Sequence, residues 1–126
     1  MDNQRGFTLI EVILALTILL VVMMMLATTT GKTVHIATTS ANQNAAIQLA
    51  IDRVEQVRAD PQYDGLDSMY AKTETTFPTL SGFTRVTSIV RTGGVGQPND
   101  YKKVTVTVTG PGVSPAVVRT VTVAAP

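Results

Sequence analysis

FTLIEVILALTILLVVMMMLA, the stretch Phe7–Ala27, is apolar on every side, and Glu11 is its one ionisable residue. A helix of about 21 residues is about 30 Å long, which matches the hydrocarbon core of a bilayer. A helix on the surface of a soluble protein would carry a polar face, and this stretch has none. We therefore predict a membrane-spanning helix over 7–30.

Two ordinary alternatives are a secretory signal peptide, with Arg5 as its basic flank, and a plain signal anchor. A signal peptide has about 7–15 apolar residues followed by a small-residue cleavage site. The run here is longer, and Met23–Leu26 is a poor approach to such a site. A plain anchor leaves Glu11 unexplained, because a carboxylate within an apolar span costs insertion energy and is a candidate functional group.

A cut between Gly6 and Phe7 would give Glu11 a role. Phe7 would then carry a free α-amino group, and Glu11 follows it one helical turn later. In an apolar medium each charge needs an opposite partner. The ammonium of one subunit and the carboxylate of its neighbour could therefore pair and set the axial register of packed helices.

The residues Gly6–Val12, GFTLIEV, resemble the prepilin cleavage and methylation motif of type IV pilins and type II secretion pseudopilins. The resemblance rests on the glycine before the cut, the phenylalanine after it, the glutamate and the apolar run. It implies that a prepilin peptidase/methyltransferase removes the leader 1–6 and N-methylates Phe7. It further implies a single-pass protein in the lipid of the bacterial inner membrane. Assembly machinery there would transfer it, with other pilin subunits, into a pilus at the cell surface or into a periplasmic pseudopilus.

An amphipathic helix is predicted over 33–59, where apolar residues recur at steps of three and four, and Pro61 ends it. Before it, Thr28–Gly31 weakens helical structure. The sequence allows either one long helix with a soft stretch there or a simple break between anchor and domain. The segment Ala46–Leu66 resembles the same region of PilV-like minor pilins, which implies a minor subunit.

A small antiparallel sheet is predicted over 83–123. Residues alternate with period two in three runs, Phe83–Arg91, Tyr101–Thr109 and Val117–Val123. Connections rich in glycine and proline separate them, which favours a three-stranded meander with an apolar face against the helix and a threonine-rich outer face. This α+β arrangement, one long N-terminal helix packed against a small antiparallel sheet in a head over 31–126, resembles the pilin fold.

The connecting segment 60–82 is predicted as a loop. Asp60, Asp64 and Asp67 lie close enough in sequence to suggest a calcium site. The EF-hand pattern is absent, however, and turn and capping roles are favoured. Three aromatic residues are expected to cover the edge of the core, with contact to a neighbouring subunit as the alternative: Tyr63, Tyr70 and Phe77.

Composition argues against several classes of function. The 126 residues include ten Lys and Arg against nine Asp and Glu, all scattered, so no nucleic-acid footprint is predicted. Cysteine is absent and His35 is the one histidine, which leaves no triad or zinc site. Gly93–Gly96 follows a strand but opens no helix, so phosphate binding is not predicted. We expect no catalytic, cofactor-binding or metal-binding residues.

Two functions remain open at this point. One is a structural subunit, of the minor class, in a type IV pilus or related pseudopilus. The other is a single-pass, membrane-anchored binding domain that never polymerises and keeps its leader.

Overall fold

The computed structural model describes residues 6–126. Residues up to Ala37 form one compact unit, and Thr38–Pro126 form a second. The predicted leader lies outside the described residues except for Gly6. The elements are α1 (Leu9–Ala59), α2 (Leu66–Tyr70), β1 (Thr73–Glu74), β2 (Thr84–Thr92), β3 (Tyr101–Thr109) and β4 (Val117–Ala124).

Helix α1 is continuous through the weak stretch, so the alternative of a simple break is wrong. The hydroxyls of Thr28 and Thr29 donate to the carbonyl of Met25 over 2.8 and 2.9 Å, and Thr30 donates to Leu26 over 3.0 Å. These bonds satisfy the β-branched polar side chains within the helix itself. The helix ends at Ala59, two residues before Pro61.

The core of the second unit forms between one face of α1 and the sheet. Ala46, Ala50, Arg53 and Val57 are the buried residues of the helix, and they recur at steps of four, three and four. The two alanines are small, so the helix can lie close to the valines of β3. Val104, Val106 and Val108 are fully buried there, as the alternation of the sequence predicts.

The sheet has four antiparallel strands in the order β1-β2-β3-β4, one more than predicted. Strand β1 is short, pairing Thr73 with Val86 and Glu74 with Arg85. A strand of two residues shows no alternation, so its sequence carries no strand signal. The short helix α2 also lies in the connecting segment 60–82, for which the sequence predicts a loop.

Strand β2 differs from the predicted apolar face. Arg85 and Thr87 are buried, whereas Val86 and Val90 are exposed. The register pairs Arg85 with Val108 and Val86 with Thr107, and paired residues point to the same face of an antiparallel sheet. The threonine-rich outer face is present as predicted, with the Thr105 and Thr120 hydroxyl oxygens 3.5 Å apart.

Candidate functional site

The first half of α1 exposes an apolar surface. Every large apolar side chain from Phe7 to Leu26 is between 46% and 81% exposed. A window of this helix reaches a mean hydropathy of 2.9, and by length and composition the helix can cross a membrane. An apolar surface of this extent is normally covered by lipid or by a protein partner. The helix therefore fits a membrane-anchored protein.

A shallow groove runs along this surface at the start of the helix. Side chains at helical steps line it: Phe7, Glu11, Val12, Ala15, Leu16 and Leu19. Ala15 is the small residue among them, and small residues let two membrane helices approach closely. The groove thus brings the two predicted assembly residues, Phe7 and Glu11, onto one apolar face.

Glu11 has no partner for its charge among residues 6–126. Among residues 6–126, no hydrogen bond or ion pair reaches its carboxylate, although its backbone N–H donates to the Thr8 carbonyl over 3.1 Å. A carboxylate on an apolar helix is costly unless a cation meets it. The cation must then come from the chain's own N-terminus, from solvent or from a neighbour.

The predicted cleavage bond lies outside the helix. Helix α1 begins at Leu9, so Gly6, Phe7 and Thr8 are non-helical and exposed. A Cβ at Gly6 would meet no atom of residues 6–126 within 4 Å. The described part of the chain therefore places no steric demand on this glycine.

Comparison with known protein families gives a match at the N-terminal end of the chain. The model of the prokaryotic N-terminal methylation motif matches residues 1–27. The chain carries the prepilin signature of type IV pilins. The match covers the N-terminal segment alone, and together with the α+β fold it supports a type IV pilin-like precursor. No curated protein and no solved structure shows significant similarity to the chain.

The signature ends before the second unit begins. The predicted likeness of Ala46–Leu66 to PilV-like minor pilins lies outside the matched residues and stays a prediction. The character of the second unit therefore rests on its own geometry, which contains a set of buried charges that sequence reasoning missed.

The first of these clusters joins α1, β1 and β2. Glu74 Oε2 accepts from Arg53 and, over 2.9 Å, from Arg85 Nε, and Arg85 Nη1 donates to the Leu49 carbonyl over 3.0 Å. Burial raises the pKa of Glu74, but the hydrogen bonds and charges of Arg85 and Arg53 outweigh it and lower the pKa overall. Glu74 is therefore a carboxylate at neutral pH.

The second cluster surrounds Asp100 at the start of β3. Asp100 Oδ1 accepts from Tyr63 Oη over 3.0 Å and from Arg91 Nε over 2.8 Å. The Arg91 hydrogen bond, outweighing burial, lowers the pKa of Asp100. Burial and the bond to Asp100 raise the pKa of Tyr63. Tyr63 thus lies in the core rather than only at its edge, while Tyr70 and Phe77 are partly buried against it, as predicted.

The third cluster is built on Lys102, which is fully buried. Its ammonium donates to the carbonyls of Tyr63 and Asp64 over 2.8 and 3.2 Å, and to the carboxylate of Asp67. The burial of Lys102 could have been predicted from the sequence, because Lys102 is two residues before Val104 in β3 and therefore lies on the same, buried face of the strand.

The three aspartates of the connecting segment have structural roles. Asp60 accepts from the Gln62 N–H over 2.8 Å, which is a turn bond, and from Tyr70 Oη over 2.9 Å. Asp67 pairs with Lys102, and Asp64 lies 3.5 Å from Arg91. Within residues 6–126, no group of three or more His, Cys, Asp or Glu is arranged to hold a metal ion.

Proposed function

We propose that this chain is a structural subunit of a type IV pilus or a related pseudopilus, assembled through α1. A prepilin peptidase would cut between Gly6 and Phe7, and N-methylation would follow at Phe7. The observation that carries this proposal is the exposed groove in which Phe7 and Glu11, whose carboxylate has no partner among residues 6–126, share an apolar face within the prepilin motif.

The chemistry of assembly follows from the environment of these two groups. An ion pair at about 4 Å is worth about 1 kcal/mol in water and about 4 kcal/mol at an effective dielectric constant of about 20. Moving the Phe7 ammonium and a neighbour's Glu11 into an apolar filament core strengthens their attraction accordingly. A slip of one helical turn, about 5.4 Å, would separate the charges and leave both desolvated. The pair therefore sets register.

Packing of the apolar helices supplies the remaining cohesion. Once α1 leaves the lipid, its exposed side chains need neighbouring helices, and Ala15 gives them a point of close approach. The uncut leader would place extra residues where the helices must meet. Cleavage thus permits assembly, and the inner membrane holds the chain until then.

The resemblance over Ala46–Leu66 further supports a minor subunit. A minor subunit is one less abundant than the principal subunit of its filament, and several copies can still occupy consecutive positions. Quantitative mass spectrometry of purified filaments measures this ratio directly, and a chain that proves to be the most abundant subunit contradicts the minor assignment.

The test of assembly uses two substitutions and two matched controls. Gly6→Leu is expected to leave uncut precursor in the membrane, whereas Gly31→Leu, at another glycine with open space around it, is expected to be processed normally. Glu11→Ala is expected to be processed but poorly incorporated into sheared filaments. Thr17→Ala, which also removes a polar group from the apolar span, is expected to assemble normally.

Mass analysis of the N-terminus separates the proposal from its alternative. A mature chain that begins with methylated Phe7 supports the subunit. An intact Met1 on protein extracted from the membrane, together with absence of the chain from sheared filaments, contradicts it and favours an anchored binding domain that does not polymerise.

A further inference from the structure

The charges of the second unit are almost all matched within it. Among residues 38–126, Asp52 is the one side-chain carboxylate with no hydrogen bond and no ion pair, and it is exposed on α1. The six other acids have partners: Glu55, Asp60, Asp64, Asp67, Glu74 and Asp100. One acid on the helix is therefore available to a cation from outside the unit.

Two cations of the same unit lack a carboxylate partner, Arg119 on β4 and Lys103 on β3. The Arg119 guanidinium approaches only the Val118 carbonyl, over 3.4 Å, and is exposed. Ile51, which precedes Asp52, is exposed on the helix, whereas Val118 is exposed on the face of β4 opposite to Arg119. The exposed carboxylate on α1 and the exposed guanidinium on β4 are therefore complementary in charge.

The position of Arg119 also restricts what can bind the edge of the sheet. Strand β4 is the last strand, and its outer edge pairs with no strand among the described residues. Arg119 shares the parity of the buried Val117 and Val121, so it is a charge on the core-facing side of an edge strand. Such charges oppose the addition of a further strand. A helix surface that brings a carboxylate suits this edge better.

We propose that β4 of one copy docks against the exposed face of α1 around Asp52 of the next copy. The Arg119 guanidinium pairs with the Asp52 carboxylate. Because the two surfaces lie on different elements, the contact is heterologous and repeats from copy to copy, as an open filament requires. This contact rests on the proposed function, since it needs copies that lie next to each other.

Cysteine cross-linking tests the contact with no background, because the chain contains no cysteine. The full chain with both Asp52→Cys and Arg119→Cys is expected to give a ladder of covalent multimers in sheared, mildly oxidised filaments. Disulfides require Cα atoms within roughly 7 Å, so a ladder reports direct apposition. The matched control pairs Asp52→Cys with Lys103→Cys, the other unpartnered cation, and is expected to give no ladder.

Charge exchange tests the same contact without cysteine. Asp52→Arg and Arg119→Asp are each expected to lower incorporation about fivefold, and the double variant is expected to recover it. Asp52→Arg places a cation three residues before Glu55, which favours the helix, so loss of folding does not explain its loss from filaments.

Several results would overturn the contact. A ladder of multimers from the control with Asp52→Cys and Lys103→Cys would be one such result. For the variant with Asp52→Cys and Arg119→Cys, the others are dimers alone, cross-links only to other proteins, or no ladder in filaments that contain it. The contact is also contradicted if the variant with Asp52→Cys and Arg119→Cys is absent from filaments and the charge-exchanged double variant does not recover incorporation. In each of these cases, the presence of the wild-type chain in filaments would still support the proposed function as a filament subunit. If the wild-type chain is absent from filaments, both the proposed function and the contact between copies are wrong.

Discussion

Glu74→Gln is the substitution that the structure predicts to be most damaging to the second unit. Glu74 is 24% exposed and faces two guanidiniums, those of Arg53 and Arg85, which are 3% and 8% exposed. The substitution leaves both cations buried without a carboxylate. Removing one partner of a buried pair costs about 3–5 kcal/mol. Partial exposure of Glu74 and the remaining amide oxygen favour the lower end, about 3 kcal/mol.

The assay follows from the distribution of aromatic residues. The chain has three tyrosines and no tryptophan, and all three tyrosines lie in the second unit. Near-ultraviolet circular dichroism of the full chain in detergent therefore follows the unfolding of that unit. At about 4–8 °C per kcal/mol for a domain of about 60–100 residues, a loss of about 3 kcal/mol lowers Tm by roughly 12–24 °C.

Glu55→Gln is the matched control. Glu55 pairs with Arg58 over 3.4 Å, but the two side chains are 63% and 57% exposed. Exposed pairs of this kind contribute about 0–1 kcal/mol. Equal shifts of Tm for the two variants would refute the reasoning, because they would mean that the buried guanidiniums find solvent or other acceptors at little cost.

Three further predictions use the same unfolding assay. Asp67→Ala is expected to lower Tm more than Lys102→Met, because the first leaves a buried ammonium short of an acceptor and the second leaves a half-exposed carboxylate that water can solvate; the reverse order would contradict this. The lowered pKa of Glu74 stabilises the fold above the unfolded value of about 4.3, and this contribution is lost as pH falls through the lower folded pKa. Tm is therefore expected to drop in acid, with a smaller drop in Glu74→Gln, and equal drops would count against the ion pair. Gly93→Ala is expected to destabilise the unit strongly, since Gly93 has a φ of 84° and a Cβ there would lie 2.6 Å from a backbone oxygen, whereas Gly94→Ala meets only a side-chain atom at 3.8 Å and should be nearly neutral; equal effects would refute this.

The sequence predicted those parts of the fold in which one pattern dominates. The apolar run predicts the first half of α1, the proline predicts where α1 ends, and the valine-threonine alternation of β3 specifies a strand and its buried face. Strand β2 shows where alternation is insufficient, because it offers Val86 and Val90 on one side and Phe83 and Ile89 on the other. The register with β3 decided between them, and register depends on pairing that no local pattern contains.

The candidate assembly residues and the missed charge clusters differ in the same way. Phe7 and Glu11 are four positions apart at the start of α1, Phe7 lying two residues before its first turn, so their spacing in sequence is enough to predict a shared face. Arg53, Glu74 and Arg85 come from three separate elements, and their meeting depends on tertiary packing. Only Lys102 offered a local clue, through its parity with the buried valines of its strand.

The buried charges also account for how the connecting segment 60–82 is held. The segment packs Tyr63 and Leu66 into the core, and the chain has no cysteine with which to cross-link it. Its polar attachments to the sheet and to α1 run through Lys102, Glu74 and the hydrogen bond of Tyr63 to Asp100. Each of these contacts demands a particular geometry, because a misplaced charge in the core stays unpaired. Ionic attachment therefore gives a small cysteine-free head a defined surface, which repeated contacts between copies require.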